Sequence, residues 1–410
     1  MFSEIITNKD NHCFEECLQN QCMRVQGDEY RVVIIGGDHY NTYGVVRSLG
    51  EEGIKTDVII IGCRKRRSFV LRSRYVLNGY CFFDHQGIVK CLLSNYSCDT
   101  TNIVICCSDA AEELVLEHYE QLSEKFVLPV CQDYQDTIQL MNKKTISDLA
   151  VKFGIRVPRT WLVINRLLPN GIVYPCITKP LSSTKGHKSD IVKCTNEEEL
   201  LQIISDENRC TDFVVQEYIE YENEVSVLGV ALANGKVCLS GCINKLRTCM
   251  IGTTSFGVMV DNSLLGDNIT KLETMMKSIR FQGLFSAEFL FKDGIFYFLE
   301  VNFRNDGNTY VATASGNNLP MRYVKSLVGC DIHDSHKCVY PCFFMLDMED
   351  FFAIKRNHIS VRQWYNDFRR ANICLVFNKL DKKPFNRKLK SVFAEAIKRA
   401  YRRCALTCNR

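Results

Sequence analysis

The sequence predicts an α/β protein in which an N-terminal parallel sheet precedes a larger unit of strands and helices. Near the N-terminus, short apolar runs alternate with helical segments, as in parallel sheets whose strands are buried on both faces. The 410 residues exceed one typical hydrophobic core and favour two or three domains. Apolar and charged contents of 46% and 24% are ordinary for a globular chain. The net charge of +4 gives no case for a nucleic-acid partner.

The parallel sheet is expected in residues 29–130, after a polar extension of residues 1–28 that shows no clear periodicity. The segment RVVIIGGDHYNTYGVVRSLGEEGIKTDVIIIG reads as strand, Gly turn, helix and strand, with buried strands at 32–35 and 58–61. TTNIVICCSD predicts another strand before a helix. Gly36-Gly37 does not match the dinucleotide fingerprint, so the sequence gives little reason to place a nucleotide there.

Targeting signals and cysteine patterns add little. The start MFSEIITNKDNHCFEEC lacks the basic and apolar regions of a signal peptide, and no run of 18 apolar residues predicts a spanning helix. The 22 Cys are scattered, so most are expected to be small buried apolar residues of a cytoplasmic protein. One group could bind a metal by residue type: Cys330, His333, His336, Cys338 and Cys342. Its spacing matches no zinc pattern, which favours an ordinary loop.

The stretch AEFLFKDGIFYFLEVNFR, residues 287–304, predicts a β-hairpin. With a three-residue loop at 292–294, Phe298 lies opposite Glu288 and Glu300 is the diagonal neighbour of Glu288. Alternation of side chains along a strand places Glu288, Glu300 and Asn302 on one face.

This face suits one or two hard cations, since magnesium takes carboxylate and amide oxygens and keeps substrate phosphates in its coordination shell. Arg304 has the same parity and can reach a phosphate or an acyl phosphate. The alternative is a pair of strand glutamates on a solvated face, which Asn302 and Arg304 disfavour.

The order acidic residue, twelve positions, Glu-x-Asn-x-Arg resembles the metal-binding end of the ATP-grasp superfamily, which includes D-alanine and D-aspartate ligases, biotin carboxylase and carbamoyl-phosphate synthetase. The resemblance implies an ATP-grasp domain at residues 131–330, with an ATP-lid subdomain at about 145–215. It also implies a Rossmann-like pre-ATP-grasp domain at 29–130 and leaves 331–410 as a C-terminal extension. The cofactors implied are ATP and Mg2+, or Mn2+ in its place.

The resemblance assigns the nucleotide site to four segments. A Lys eleven positions before Gly-Ile-x-x-Pro is similar to the family's phosphate-binding Lys and identifies Lys143, with Lys144 as its rival. Lys179, at a strand end before a Ser/Thr/Gly/Lys loop, is a second phosphate ligand. The adenine is implied to lie at Glu217 and at the hinge backbone of Tyr218, Ile219 and Glu220. The ribose is implied to lie at Glu224, seven positions after Glu217.

The acid-binding end comes from two later segments. Lys245 and Arg247 lie on one face of a predicted strand, and in similar ligases this segment supplies a phosphate-reaching cation and part of the acid pocket. After Arg304, the run NDGNTYVATASGNNLP resembles the D-aspartate ligase-like branch. Five such parts occur in the family's order over roughly 131–330.

The implied function is an ATP-dependent carboxylate–amine ligase that forms an acyl phosphate and ADP, with Lys245, Arg247 and Arg304 at the reacting groups. It would join a small carboxylate to an amine, adding an amino acid to a cell-envelope precursor. Carboxylase or carbamoyl-phosphate chemistry on the same fold and a degenerate ATP-binding protein stay open as alternatives. A homodimer stays open as the assembly.

Two basic segments lie outside these motifs. CRKRRSFVLRSR, residues 63–74, holds six basic residues and reads either as a solvated loop or as an anionic-substrate patch, and its few aromatics disfavour RNA. FNRKLKSVFAEAIKRAYRR predicts a helix after Pro384. Its apolar stripe, opposite many Lys and Arg, would pack on the ligase body or lie on anionic lipid at the inner face of the membrane. The stripe comprises Leu389, Val392, Phe393, Ala396, Ile397, Ala400 and Tyr401.

Overall fold

The structure, a computed structural model, describes residues 30–181, 190–207, 209, 211–250, 253–330, 338–352, 354, 358–392 and 394. The predicted extension at 1–28 lies outside these residues, and so do His333 and His336 of the metal-capable group. No helix in these ranges is both long and apolar enough to cross a membrane.

The N-terminal domain is a five-stranded parallel sheet in the order β3-β2-β1-β4-β5, as the sequence predicts. Its strands are β1 (Tyr30–Gly37), β2 (Thr56–Ile61), β3 (Val76–Phe82), β4 (Thr101–Cys106) and β5 (Phe126–Val127). Its helices are α1 (Tyr40–Gly50), α2 (His85–Asn95), α3 (Asp109–Glu117) and α4 (Tyr119–Leu122). Successive residues of β1 face different cores: Ile34 packs in one cluster and Ile35 in another, which explains the continuous apolar run. The strand order reverses between β1 and β4, so a crevice is expected at their carboxyl ends.

The second sheet has four strands in the order β6-β9-β7-β8. Its strands are β6 (Thr160–Val163), β7 (Cys176–Pro180), β8 (Val192–Cys194) and β9 (Phe213–Glu217). Two helices precede it, α5 (Tyr134–Leu140) and α6 (Lys143–Lys152), and α7 (Glu197–Ser205) covers it. Lys179 on β7 and Glu217 on β9 therefore belong to neighbouring strands.

The third sheet has seven strands in the order β14-β13-β10-β11-β12-β15-β16. Its strands are β10 (Asn223–Ala231), β11 (Val237–Met250), β12 (Thr253–Val260), β13 (Gly283–Lys292), β14 (Ile295–Asn302), β15 (Cys342–Met345) and β16 (Ile373–Cys374). Its helices are α8 (Asn268–Ser278), α9 (Thr309–Ala314), α10 (Leu319–Leu327), α11 (Asp347–Phe352) and α12 (Val361–Arg370). A last helix, α13, covers 382–392.

The β13–β14 hairpin differs from its predicted register. Its turn has two residues rather than three, because Lys292 pairs with Ile295. Asp293 and Gly294 have φ values of 49° and 76°, the left-handed pair that a tight type I′ turn needs and that Asp-Gly adopts readily.

A β-bulge then corrects the side-chain phase of β14. Phe298 lies opposite Phe289 rather than opposite Glu288, and the next pair is Glu288 with Glu300, which leaves Leu299 as the extra residue. The predicted diagonal relationship of the two glutamates is therefore wrong, because they face each other directly. Without the extra residue, Glu300 would point to the other face of the sheet.

The helix α13 packs on the protein body over the part that the structure describes. Phe385 is buried, and Leu389 and Val392 pack on the core shared by the N-terminal domain and the large sheet. The later stripe residues Phe393, Ala396, Ile397, Ala400 and Tyr401 lie outside the description of side chains.

Candidate active site

The centre of the candidate site is the carboxylate pair of the large sheet. Glu288 on β13 and Glu300 on β14 are directly opposite, and Asn302 is opposite Ser286 one pair further along the same face. Burial raises the pKa of the Glu288 carboxyl, although Lys245 opposes this shift. Burial is also the largest effect on Glu300, but Lys143, Lys179 and Arg304 together outweigh it and hold the pKa of that carboxyl below its usual range.

Two lysines approach the pair from other elements. Asn142 caps α6 and places Lys143 in its first turn, where Nζ lies 2.5 Å from Glu300 Oε2. Lys144 instead pairs with Asp148 on its own helix at 2.5 Å, so only Lys143 of the two candidate lysines joins the carboxylates. Lys179 Nζ donates to Gln216 Oε1 at 2.8 Å.

The charge around Lys179 ties it to the same cluster. Burial lowers the pKa of its ammonium group, and the charges of Glu300 and Lys143 act on it as well. An amine held in this way is ready to gain from an anionic ligand, because a negative phosphate offsets the cost of its charge.

Glu224 and Lys245 form a second ion pair on the same sheet. Glu224 lies at the start of β10, and its Oε1 contacts Nζ of Lys245, whose side chain is 7% exposed. Burial opposes the charge of Lys245, but Glu288 and Glu224 raise the pKa of its ammonium group. Lys245 thus connects the predicted ribose carboxylate to the predicted metal carboxylate.

Arg304 follows Asn302 at the end of this row of candidate side chains and contacts the N-terminal domain. Its Nε contacts Asp109 Oδ1 in the first turn of α3, and its terminal nitrogen donates to Asn302 Oδ1 at 3.3 Å. Burial opposes the charge, but Asp109 and Glu112 raise the pKa of the guanidinium. Burial in turn raises the pKa of Glu112 to about 7, with Arg304 lowering it.

Asp109 and Glu112 were missed by the sequence reasoning. The available signal was their position immediately after the apolar strand VICC, at the carboxyl end of β4, where sites in parallel sheets lie. The segment after Arg304 docks at the same place: the Asn305 N–H donates to the Cys106 carbonyl at 2.9 Å, and Asn41 Nδ2 donates to the Asn305 carbonyl at 3.0 Å.

The predicted adenine end lies beside the four-stranded second sheet. Glu217 pairs with Arg159 at 3.1 Å, and the Tyr218 N–H donates to the Pro175 carbonyl at 3.0 Å. Lys193 Nζ lies 3.9 Å from the centre of the Tyr218 ring. The Tyr218 N–H is engaged, but its carbonyl can still accept, so adenine recognition by the backbone of Tyr218, Ile219 and Glu220 stays a prediction.

Arg247 diverges from Lys245 although both border one cavity of about 410 Å3. Register shifts follow Lys245 on β11, and the Arg247 guanidinium lies 2.8 Å from Asp350 and 2.5 Å from Asp367. These partners belong to α11 and α12, so Lys245 enters the carboxylate cluster and Arg247 contacts the C-terminal region. The role of Arg247 at the acid substrate stays a prediction.

The oxygen donors fit magnesium. No group of three or more His, Cys, Asp or Glu suited to a metal occurs within the described ranges, so the candidate set is two carboxylates and the Asn302 amide. Hard oxygen donors that leave several positions for phosphate oxygens are the pattern for Mg2+, and the absence of nitrogen and sulfur donors from this set disfavours zinc.

Comparison with known proteins supports the ATP-grasp fold. Residues 140–308 match the model of the ATP-grasp domain. The chain is 23% identical over 332 residues to a D-aspartate ligase of Enterococcus faecium (strain Aus0004), covering 72% of this chain and 76% of that protein.

Solved structures agree. An ADP complex of N5-carboxyaminoimidazole ribonucleotide synthetase aligns with a TM-score of 0.62 at 16% identity, covering 82% of this chain and 86% of that one. A Hydrogenobacter thermophilus biotin carboxylase domain dimer with MgADP and bicarbonate aligns with a TM-score of 0.58 at 15% identity, covering 76% and 72%. The predicted fold, a parallel-sheet domain followed by an ATP-grasp unit, is thereby confirmed.

Proposed function

The chain carries an ATP-grasp domain at residues 140–308, and from this premise we propose that it is an ADP-forming carboxylate–amine ligase. The observation that carries the proposal is the facing pair Glu288 and Glu300, with Lys143 bound to one carboxylate and Lys245 beside the other. An arrangement of two carboxylates among cations suits the phosphates of ATP with their metal.

The chain's own residues divide the work of holding ATP. Lys143 and Lys179 donate to phosphate oxygens, and Glu224 accepts from the ribose hydroxyls. Mg2+, held by Glu288, Glu300 and Asn302, supplies neutralisation of phosphate charge when bound. Lys143 now pairs with Glu300, so it is already placed beside the metal ligands.

The reaction needs positioning and charge neutralisation rather than a protein nucleophile. A substrate carboxylate oxygen attacks the γ-phosphorus, and the bond from that phosphorus to the bridging oxygen breaks. The products of this step are an acyl phosphate and ADP. The amine then attacks the acyl carbon, phosphate departs, and the nitrogen loses a proton to give the amide. Arg304 stabilises charge on the phosphoryl group and on the tetrahedral intermediate.

The similarity to the D-aspartate ligase of Enterococcus faecium suggests the substrate class. We propose that an amino acid supplies the activated carboxylate and that the amine belongs to a cell-envelope precursor. The similarity covers 76% of that relative, and the segment after Arg304 docks on the N-terminal domain of this chain. We place the reaction in the cytoplasm, where ATP is supplied.

Carboxylation is the second candidate, because the solved neighbours include a biotin carboxylase domain with bicarbonate. Both reactions use the same cluster and both form an acyl or carboxy phosphate. They differ in the acid, so bicarbonate must be one arm of any assay.

The test is ADP formation by the full chain with MgATP, a panel of D- and L-amino acids, and bicarbonate. The expected result is ADP release that depends on one amino acid, with a hydroxamate trapped by hydroxylamine when the amine is absent. ADP release stimulated only by bicarbonate would transfer the chain to the carboxylases. AMP as the product would exclude the acyl-phosphate route, and MgATP binding without turnover would indicate a degenerate protein.

Contact with the membrane and dimer formation are finer proposals. Leu389 and Val392 of the apolar stripe pack on the protein body, as does the preceding Phe385, which supports the packed arrangement of α13 over an interfacial one. The Hydrogenobacter thermophilus biotin carboxylase domain, which is similar in fold, is a dimer. We propose a homodimer, which light scattering of the full chain would test.

A further inference from the structure

The basic loop at 63–74 is fixed in place by two acidic residues. Asp38, immediately after β1, accepts hydrogen bonds from the Ser68 hydroxyl at 2.6 Å and from the Phe69 and Val70 N–H groups at 3.0 and 3.1 Å. These contacts hold the middle of the loop at the carboxyl end of the parallel sheet, beside the crevice between β1 and β4.

Asp381 fixes the other end of the loop to the C-terminal segment. It is buried, accepts from the Ser73 hydroxyl at 2.5 Å and from the Arg74 N–H at 3.2 Å, and directly precedes α13. Asp38 and Asp381 accept hydrogen bonds from backbone N–H groups and hydroxyls of the loop. They therefore position the basic side chains without neutralising them one by one.

The six basic side chains of the loop stay uncompensated. All of them are exposed, and none pairs with a carboxylate in the part of the chain that the structure describes. The helix α13 adds further Lys and Arg next to them. We call the exposed face of loop 63–74 together with α13 the basic surface.

Side chains from the two halves of the basic surface converge. The charges of Arg67 on the loop and Arg387 on α13 both act on the Cys63 thiol. Arg387 Nε is buried and has no hydrogen-bond partner among the described residues, although a guanidinium offers five donors. Lys388 lies over the Phe69 ring, with Nζ 4.8 Å from its centre. A buried donor left in this state gains most from an anionic acceptor.

The basic surface adjoins the candidate active site through His39. His39 caps α1 at the carboxyl end of β1, and its Nδ1 accepts from the Asn41 N–H at 3.3 Å. Burial, with Lys388 and Arg304 adding to it, lowers the pKa of the imidazole to about 4, so His39 is neutral at pH 7. The charges of Lys388 and Arg304 thus act on one neutral ring from the two sites, and Lys388 also pairs with Glu349.

We propose that the basic surface binds the phosphate or diphosphate group of one of the two substrates that react beside Arg304. The proposal rests on the proposed ligase function and adds that this substrate is phosphorylated. Arg67 and Arg387 are the donors suited to this role, because guanidinium groups match phosphate oxygens in pairs. Six exposed cations held on a fixed backbone repel one another, and a dianion relieves that repulsion.

The test uses inorganic pyrophosphate as the probe and the full chain with its nucleotide site filled by Mg2+ and β,γ-methylene-ATP. Titration calorimetry should show pyrophosphate binding that weakens as salt rises. Arg67→Ala and Arg387→Ala should each lower that affinity at least about tenfold, the scale of one charge-assisted contact. Lys90→Ala, which removes an exposed charge from α2, is the matched control and should leave the affinity unchanged.

Three outcomes decide the proposal. No pyrophosphate binding at low salt, or equal binding by wild type and both Arg variants, would overturn it. Binding to phosphatidylglycerol vesicles that needs the same two arginines, without competition by pyrophosphate, would overturn it in favour of a lipid surface. Arg67 is exposed, so its variant remains informative if Arg387→Ala unfolds the chain. Nucleotide binding is measured separately, and its loss in wild type would count against the ligase function rather than against this surface.

Discussion

Glu288 and Glu300 face each other across β13 and β14, yet the pKa values of their carboxyls move in opposite directions. Burial is the largest effect at both carboxyls. It prevails at Glu288 and raises its pKa, whereas Lys143, Lys179 and Arg304 together outweigh it at Glu300 and lower its pKa. The difference arises because Lys143 on α6 pairs directly with Glu300, whereas Lys245 on β11 pairs with Glu224 and acts on Glu288 through its charge. A metal with ATP phosphates would share charge between the two carboxylates.

The first prediction concerns the charge of Glu300. Glu300→Gln should lower turnover by about a hundredfold or more, the scale of losing one electrostatic contact at a reacting phosphate. The fold should persist, since amide and carboxylate have nearly the same shape. The measurement is ADP release at saturating Mg2+. Glu273→Gln on α8 is the control, because in the described residues Glu273 forms an ion pair only with Lys277 on its own helix. Near-wild-type turnover would remove Glu300 from the metal site.

The second prediction concerns how Arg304 is positioned. Asp109→Asn should lower kcat about tenfold with little change in KM for ATP, because Arg304 loses the carboxylate that orients it beside Asn302. Asp109→Glu should recover part of the loss, since it keeps the charge. Glu113→Gln on the same helix serves as the control. Equal kcat in wild type and Asp109→Asn would show that Arg304 holds its position without Asp109.

The sequence grouped the residues of the candidate site more fully than it predicted their geometry. Lys143 and Glu300 were both identified, although they are 157 positions apart, because each belongs to a motif with fixed spacing. The facing of Glu288 and Glu300 was missed, because a bulge at Leu299 and a two-residue turn shift the register, and both depend on the packing of the finished sheet.

The contacts of Arg304 were beyond the sequence for a different reason. Its partner Asp109 lies 195 positions away on another domain, and no local pattern specifies which surfaces of two domains meet. Arg247 is a second example of a contact that local sequence does not specify. Strand parity grouped it with Lys245, but its partners Asp350 and Asp367 lie on later helices.

The third prediction concerns the pH dependence of stability. Burial raises the pKa of Glu112 from its ordinary value of 4.5 to about 7 in the folded chain, and Arg304 and Asp109 are the charged groups that act on it. The folded state then binds more protons than the unfolded state between about pH 4.5 and 7. Stability contributed by protonated Glu112 is therefore full below pH 4.5 and is lost as the pH rises through about 7.

The measurement is urea unfolding of wild type and Glu112→Gln at several pH values from 5 to 8. The glutamine stays neutral, so the free energy of unfolding of wild type should fall relative to that of the variant as the pH rises to about 7, and then stay level. A difference that stays constant over the whole range would contradict the buried, proton-binding state of Glu112.

The last prediction concerns α13 and decides between the core and the membrane as its partner. Phe385 is buried and stacks edge-to-face on Phe377, with ring centres 5.3 Å apart. Phe385→Ala should therefore lower the free energy of unfolding by about 3 kcal/mol, the usual cost of emptying a buried aromatic site. Leu380→Ala is the matched control, because Leu380 is 66% exposed just before the helix and its loss should change stability by less than about 0.5 kcal/mol. If Phe385→Ala is as stable as wild type while the full chain sediments with anionic vesicles at low salt, the apolar stripe serves the lipid and the helix is no part of the core. Phe385 anchors the helix that carries Arg387 and Lys388 beside the loop at 63–74. Loss of stability and loss of pyrophosphate binding should therefore appear together in Phe385→Ala.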